Sequence, residues 1–199
     1  MSRHQGFTII ELLLVISIIS FIGSVIFATM SSARGRARDA RRLADMRSTV
    51  QALEFYLDEN GQYPEETTVG AENIAGWEAS VYPNFMEYLQ PYIRKQITDP
   101  VNRLIAPPQM FYTPRPDDGN FWYVYYRYPA GPLHGCAWDR PYAVLAVRAF
   151  EAMDAADIAT LPSAKCGPQP CGGPPPAATA IANVCRDWSG EYDYSLFIL

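Results

Sequence analysis

The chain has 199 residues, 49% hydrophobic and 19% charged, a balance that excludes both a wholly disordered chain and a polytopic membrane protein. Its net charge of -5 argues against a general nucleic-acid binder, because neutralising phosphates requires a basic surface. The breaks in composition are sharp: all 17 prolines lie at Pro64 or later, all four cysteines at Cys136 or later, and residues 61–199 carry nine basic against fifteen acidic residues.

A short polar leader, Met1 to Gly6, precedes an apolar run from Phe7 to Met30 whose only ionisable side chain is Glu11. As a helix this run spans about 36 Å, enough to cross a bilayer core of about 30 Å. A plain signal anchor, or a secretory signal cleaved near Ser31-Ser32-Ala33, accounts for the apolar character. Neither accounts for Glu11, since a carboxylate in a membrane helix costs on the order of 2.5–3.5 kcal/mol and marks function.

The stretch Gly6-Phe7-Thr8-Ile9-Ile10-Glu11-Leu12-Leu13 resembles the processing site of type IV prepilins and type II secretion pseudopilins. That resemblance implies cleavage after Gly6 by a membrane prepilin peptidase and N-methylation of the new first residue, Phe7. It implies further that Glu11 acts in filament assembly. The exposed α-amino group of Phe7 is a cation near neutral pH. In a filament core it needs an anion, which Glu11 of a neighbouring subunit supplies. The partners implied are further copies of the chain in a helical filament built through the N-terminal helices, the peptidase, an assembly platform and its ATPase, and the inner membrane. No proline interrupts Phe7–Met30, a departure from many members of the family.

Residues 31–60 read as an amphipathic continuation of the same helix. Ala33, Ala37, Ala40, Leu43, Met46, Val50, Leu53 and Leu57 recur at steps of three and four, one stripe of an α-helix. Six arginines and five acids lie between them, with pairs such as Arg41 and Asp45 placed for local ion pairing. Asn60-Gly61 supplies a stop and Pro64 prevents resumption. The stretch Asp58 to Pro64 resembles the end of the long helix in major pseudopilins. The arginines following the apolar run would, by charge bias alone, hold the C-terminal part in the cytoplasm. The resemblance implies the opposite: a single-pass inner-membrane protein with its domain outside the cytoplasm, later part of a periplasmic or cell-surface filament. The acids interleaved with those arginines offset the charge bias, and the cysteines and turn-rich tail suit an oxidising exterior.

Residues 61–199 read as a globular domain. A helical turn is expected at Phe85–Leu89 between Pro83 and Pro91, and Thr98 to Asn102 resembles the Asp-Pro loop before the sheet of pseudopilins. Three strands follow, at Phe121–Tyr128, Tyr142–Phe150 and Tyr192–Leu199, rich in β-branched and aromatic residues. In the second, Val144, Ala146 and Arg148 alternate with Leu145 and Val147. An antiparallel meander covering Leu43, Val50, Leu53 and Leu57 gives the one core such a domain needs. The expected class is α+β: a long N-terminal helix on a small three-stranded sheet. The aromatic density invites ligand stacking, but cross-strand packing is the simpler reading.

The proline-rich loop 162–185 needs covalent restraint. Cys136, Cys166, Cys171 and Cys185 are expected to form two disulfides, in any of three pairings. The rival is a zinc site from His134, Cys136, Cys166 and Cys171. Acids at Asp99, Asp117, Asp118, Asp187, Glu191 and Asp193 offer oxygens for calcium without a ligand-spaced motif. No metal or cofactor is expected. No nucleophile elbow, P-loop or dinucleotide fingerprint is present, so no enzyme is expected either. A reading of another class is an exported sugar- or peptide-binding domain on an ordinary anchor.

Overall fold

The computed structural model describes residues 8–65, 78–105, 119–128, 138–162 and 192–199. One helix, α1, runs from Ile9 to Asn60 over 52 residues. At about 1.5 Å per residue it is about 78 Å long. It starts where Thr8 adopts an extended backbone and its hydroxyl accepts from the Glu11 N–H. It stops where Gly61 takes a left-handed conformation, φ 72°, and its N–H closes onto the Leu57 carbonyl at 2.7 Å. A side chain there would strain the backbone, which is why glycine ends the helix.

The two halves of α1 differ in what they touch. Apolar side chains of the first half are exposed in the single chain, Ile9 by 79% and Phe27 by 77%. Its hydroxyls are nonetheless satisfied by the helix itself: Ser17, Ser20 and Ser24 donate to the carbonyls of Leu14, Ile16 and Phe21 at 2.7–2.8 Å. Such back-bonding lets serine sit in an apolar segment at little cost. The second half lies on a four-stranded antiparallel sheet in the order β1-β2-β3-β4, formed by Glu78–Ala79, Tyr123–Tyr128, Tyr142–Val147 and Tyr194–Ile198.

The three expected strands are present, each slightly shorter than expected, and β1 adds a fourth of only two residues at the edge. Buried Glu78 anchors it, accepting from the Met86 N–H at 3.0 Å and the Tyr88 hydroxyl at 3.1 Å. Those partners belong to the expected helical turn, a 3-10 helix at Glu87–Leu89. A short helix α2, Ala155–Ala159, follows β3 and is capped by the Asp154 carboxylate.

The inner sheet face, with Tyr123, Tyr125, Ala143, Leu145 and Val147, packs on Met46, Ala52 and Leu53, with Leu43, Val50 and Leu57 at its margin. Every residue of β3 is buried, so the sheet is not half-solvated. On its outer face Trp122, Val124, Tyr128, Tyr142, Val144 and Ala146 form a second cluster. Rings meet rings there: Tyr128 stacks on Tyr142 at 4.9 Å, and Trp138 meets Tyr142 edge to face at 4.6 Å, centroid to centroid. Aromatic pairs of this kind contribute about 0.5–1.5 kcal/mol each beyond burial. After the helix, Tyr63 and Pro64 are fastened to β2, their carbonyls accepting from Arg127 at 2.9 Å and the Tyr125 hydroxyl at 2.8 Å.

The inward stripe of α1 departs from the expected one in its upper part. Ala33, Ala37 and Ala40 are exposed, and Gly35, Asp39 and Arg42 take the buried positions that lead into Met46, Thr49 and Leu53. The physical reason is an ion cluster in which Arg42 finds buried carboxylates, described next.

Candidate functional site

Two places on α1 carry charge where apolar surroundings make charge expensive. The first is its head. Glu11 closes a capping box with Thr8: its Oε2 accepts from the Thr8 N–H and hydroxyl, both at 2.9 Å, while the Thr8 hydroxyl accepts from the Glu11 N–H at 3.3 Å. Sequence spacing permits this, because threonine three residues before glutamate is the capping pattern. The carboxylate also complements the positive end of the helix dipole. Glu11 is exposed in the single chain, flanked by Ile10 at 76% and Leu12 at 60% exposure. Glu11 and Thr8 are thus brought together; Gly6 and Phe7 lie outside the described residues.

The second place is where α1 meets the domain. Arg42 is wholly buried and forks onto Asp99, Nε to Oδ2 at 2.7 Å and Nη2 to Oδ1 at 3.0 Å. Its Nη1 donates to Asp39 Oδ1 at 2.7 Å and approaches Glu151 Oε1 at 3.0 Å. Arg38 Nε donates to that same Glu151 oxygen at 2.7 Å. Two cations therefore face three carboxylates, and backbone donors supply the rest. Asp39 accepts from the N–H groups of Glu151, Ala152 and Met153, and Asp99 from those of Val101 and Asn102. Gly35 lets this loop come close, since a Cβ there would stand 3.3 Å from that of Ala152.

Burial opposes the charge on Arg42, but its bonds to Asp99, Asp39 and Glu151 outweigh that and hold its pKa above the usual arginine value. The Arg38 hydrogen bond holds Glu151 below the usual carboxylate range against the pull of partial burial, with Arg42 assisting. Asp45 moves the other way, raised chiefly by burial although the Tyr123 hydroxyl donates to it at 3.1 Å. A depressed carboxyl stabilises the fold above its unfolded value and loses that contribution as pH falls through the folded one. Acidification from about pH 5 to about pH 3 is therefore expected to destabilise the protein, and Glu151→Gln to flatten that loss. Asp45, with its raised value, works in the opposite direction and is not the source. Urea unfolding followed by tryptophan fluorescence across this range checks both.

Among the other expected site residues, Asp99 serves Arg42, which removes it as a free oxygen for calcium. Asp193 accepts from the Phe150 N–H at 2.5 Å. Asp117, Asp118, Asp187, Glu191, His134 and the cysteines Cys136, Cys166, Cys171 and Cys185 lie outside the described residues. Local spacing offers Arg38 and Arg42 to Asp45, but in the structure Arg38 binds Glu151 and Arg42 binds Asp39, Asp99 and Glu151. A signal existed: 35, 39, 42, 46, 49 and 53 step by four and three, so Asp39 and Arg42 share the stripe of Met46 and Leu53.

The family description "Prokaryotic N-terminal methylation motif" matches residues 1–27. The chain is 38% identical over 63 residues to the type IV wide pilus major component PilA4 of Thermus thermophilus, covering 32% of this chain and 48% of that one. It is 28% identical over 99 residues to the type II secretion system core protein G of Pectobacterium carotovorum subsp. carotovorum, 49% of this chain and 62% of that one. The corresponding protein of Klebsiella pneumoniae is 28% identical over 101 residues, 50% of this chain and 71% of that one. The match thus spans about half the length of the first relative and somewhat more of the other two. No solved structure matches the chain significantly. With the methylation motif heading a long helix laid on a small antiparallel sheet, the chain is similar to type IV pilins and type II secretion pseudopilins.

Proposed function

We propose that this chain is a structural subunit, rather than an enzyme, of a helical filament of the type IV pilus or type II secretion kind. The observation that carries the reading is one continuous helix with two environments. Its first half is apolar, exposed and headed by Gly6-Phe7-Thr8-Ile9-Ile10-Glu11, and its second half is fixed to a domain. An exposed apolar length of this size needs lipid or other copies of itself around it. In this reading it holds the subunit in the inner membrane, with residues 61–199 outside the cytoplasm, until assembly exchanges lipid for neighbouring helices.

A prepilin peptidase cuts after Gly6 and N-methylates Phe7, and a platform protein with its ATPase draws the subunit into the filament. Glu11 then meets the amino terminus of another subunit. Two disulfides among Cys136, Cys166, Cys171 and Cys185 accord with an exported domain.

Mass spectrometry of the full-length chain, recovered from cells that contain a prepilin peptidase, tests this. A mature terminus at Phe7 bearing one methyl group is expected. An intact Met1 overturns the reading in favour of an ordinary membrane anchor.

A further inference from the structure

We propose that Arg34 and Arg36 form a two-sided cationic collar on α1 that binds the phosphates of anionic phospholipids at the outer surface of the membrane. The proposal rests on the membrane-held state in the reading above and names the lipid class that this state recruits.

The arginines of α1 differ in what balances them. Arg38 pairs with Glu151, Arg41 with Asp45, and Arg42 with Asp39 and Asp99. Arg34 and Arg36, the two nearest the apolar run, are exposed and have no carboxylate partner among the described residues. Their height suits a lipid surface. The helix is long and apolar enough to cross a membrane. With Met30 closing the apolar run, Arg34 and Arg36 stand about 6 and 9 Å further along the axis. The headgroup layer is about 5–8 Å deep on each side of the hydrocarbon.

Side chains on a helix lean toward its N-terminus, so both guanidiniums reach back toward the bilayer. Arg36 shows this directly, its Nη2 donating to the Ser32 hydroxyl at 2.9 Å, one turn nearer the apolar run. That bond leaves further guanidinium N–H groups to donate elsewhere. The domain leaves both flanks open. Gly35 faces it, since a Cβ there would stand 3.3 Å from that of Ala152. Arg34 and Arg36 follow about 100° to either side, so one cation serves each flank of the helix. The acids at this level, Asp39 and Glu151, are taken by Arg42 and Arg38.

A guanidinium forks onto phosphate oxygens, which suits both arginines to a lipid phosphate. A zwitterionic headgroup brings its own ammonium to that phosphate, whereas an anionic one leaves the charge for the arginines. The partner is therefore a lipid of the phosphatidylglycerol class. Free phosphate offers the same oxygens but lacks the acyl chains that exposed Ile22, Ile26 and Met30, just below the collar, would meet.

Native mass spectrometry of the full chain in detergent, with phosphatidylglycerol and phosphatidylcholine of equal chain length at equal concentration, tests this. The wild-type chain is expected to retain phosphatidylglycerol in preference. Arg34→Gln and Arg36→Gln are each expected to lower that affinity about fivefold, and both together about twentyfold. Arg47 is also exposed without an ion pair, but it lies about 26 Å beyond Met30. Arg47→Gln removes the same charge outside a Debye length of the headgroups, so a change of less than about twofold is expected.

Equal retention of the two lipids by the wild-type chain, or as large a loss from Arg47→Gln, overturns the collar. Displacement of the lipid by inorganic phosphate at the same concentration overturns it too, since the ion would then be the ligand. The same spectra weigh the N-terminus of chain recovered from cells that contain a prepilin peptidase. A chain beginning at Phe7 without lipid preference overturns the collar alone. An intact Met1 with the preference overturns the filament reading alone.

Discussion

Arg42→Ala is expected to destabilise the domain by about 3–5 kcal/mol, the penalty for leaving buried carboxylates without their cation. Whole domains are stable by only about 5–15 kcal/mol, so the variant is expected to be partly unfolded or readily degraded. The geometry sets the size of the effect. Asp39 and Asp99 are both buried, and Arg42 bridges them with three nitrogen atoms at 2.7–3.0 Å. Removing the guanidinium leaves both carboxylates facing each other and the ring of Phe121, over which Arg42 now lies at 4.9 Å.

Arg42→Lys retains the charge but cannot fork onto Asp99 while reaching Asp39, so an intermediate loss is expected. Urea unfolding of the full chain in detergent, followed by tryptophan fluorescence, checks the order. An Arg42→Ala midpoint equal to wild type would show that the cluster does not hold the fold. The cluster sits where α1 leaves the domain, and it ties the helix to the loops at 99–102 and 151–153. If the subunit is drawn into a filament as proposed above, force passed along the helix would reach the domain through these bonds.

Much of this architecture was legible because local patterns agreed with tertiary demands. Asn60-Gly61 and Pro64 mark the end of α1 because a left-handed residue and a proline cannot continue a helix. β2, β3 and β4 fall inside the three aromatic and β-branched runs, losing residues only at their ends. Two things were less visible. β1 is two residues long and is held by Glu78 and its pairing to Val124 and Tyr125, which are tertiary contacts with no local periodicity. In the upper part of the helix, hydrophobicity alone points to Ala33, Ala37 and Ala40. The burial there is electrostatic: Asp39 and Arg42 go inward because Asp99 and Glu151, 57 and over 100 residues away, meet them. A pattern that counts only apolar residues cannot register a stripe completed by an ion pair.

At the helix head, Glu11→Leu and Glu11→Gln are both expected to reduce recovered filaments by more than about tenfold while cleavage after Gly6 proceeds. The pair of variants separates two roles of one side chain. As a cap, Glu11 needs only an oxygen to accept from the Thr8 N–H and hydroxyl, and glutamine supplies one. As the counter-ion of a neighbour's amino terminus it needs a negative charge, which glutamine lacks. In a water-excluded core, removing one member of an ion pair leaves the other uncompensated, at a cost of about 3–5 kcal/mol per contact. Repeated along a filament, that cost halts growth. On the filament reading proposed above, the Thr8 bonds would keep the carboxylate satisfied in the unassembled subunit, and assembly would exchange this local cap for an intersubunit pair. Quantifying sheared filaments against total processed subunit for wild type, Glu11→Leu and Glu11→Gln decides between the roles. Normal filaments from Glu11→Gln would leave only the cap, and normal filaments from Glu11→Leu would remove both.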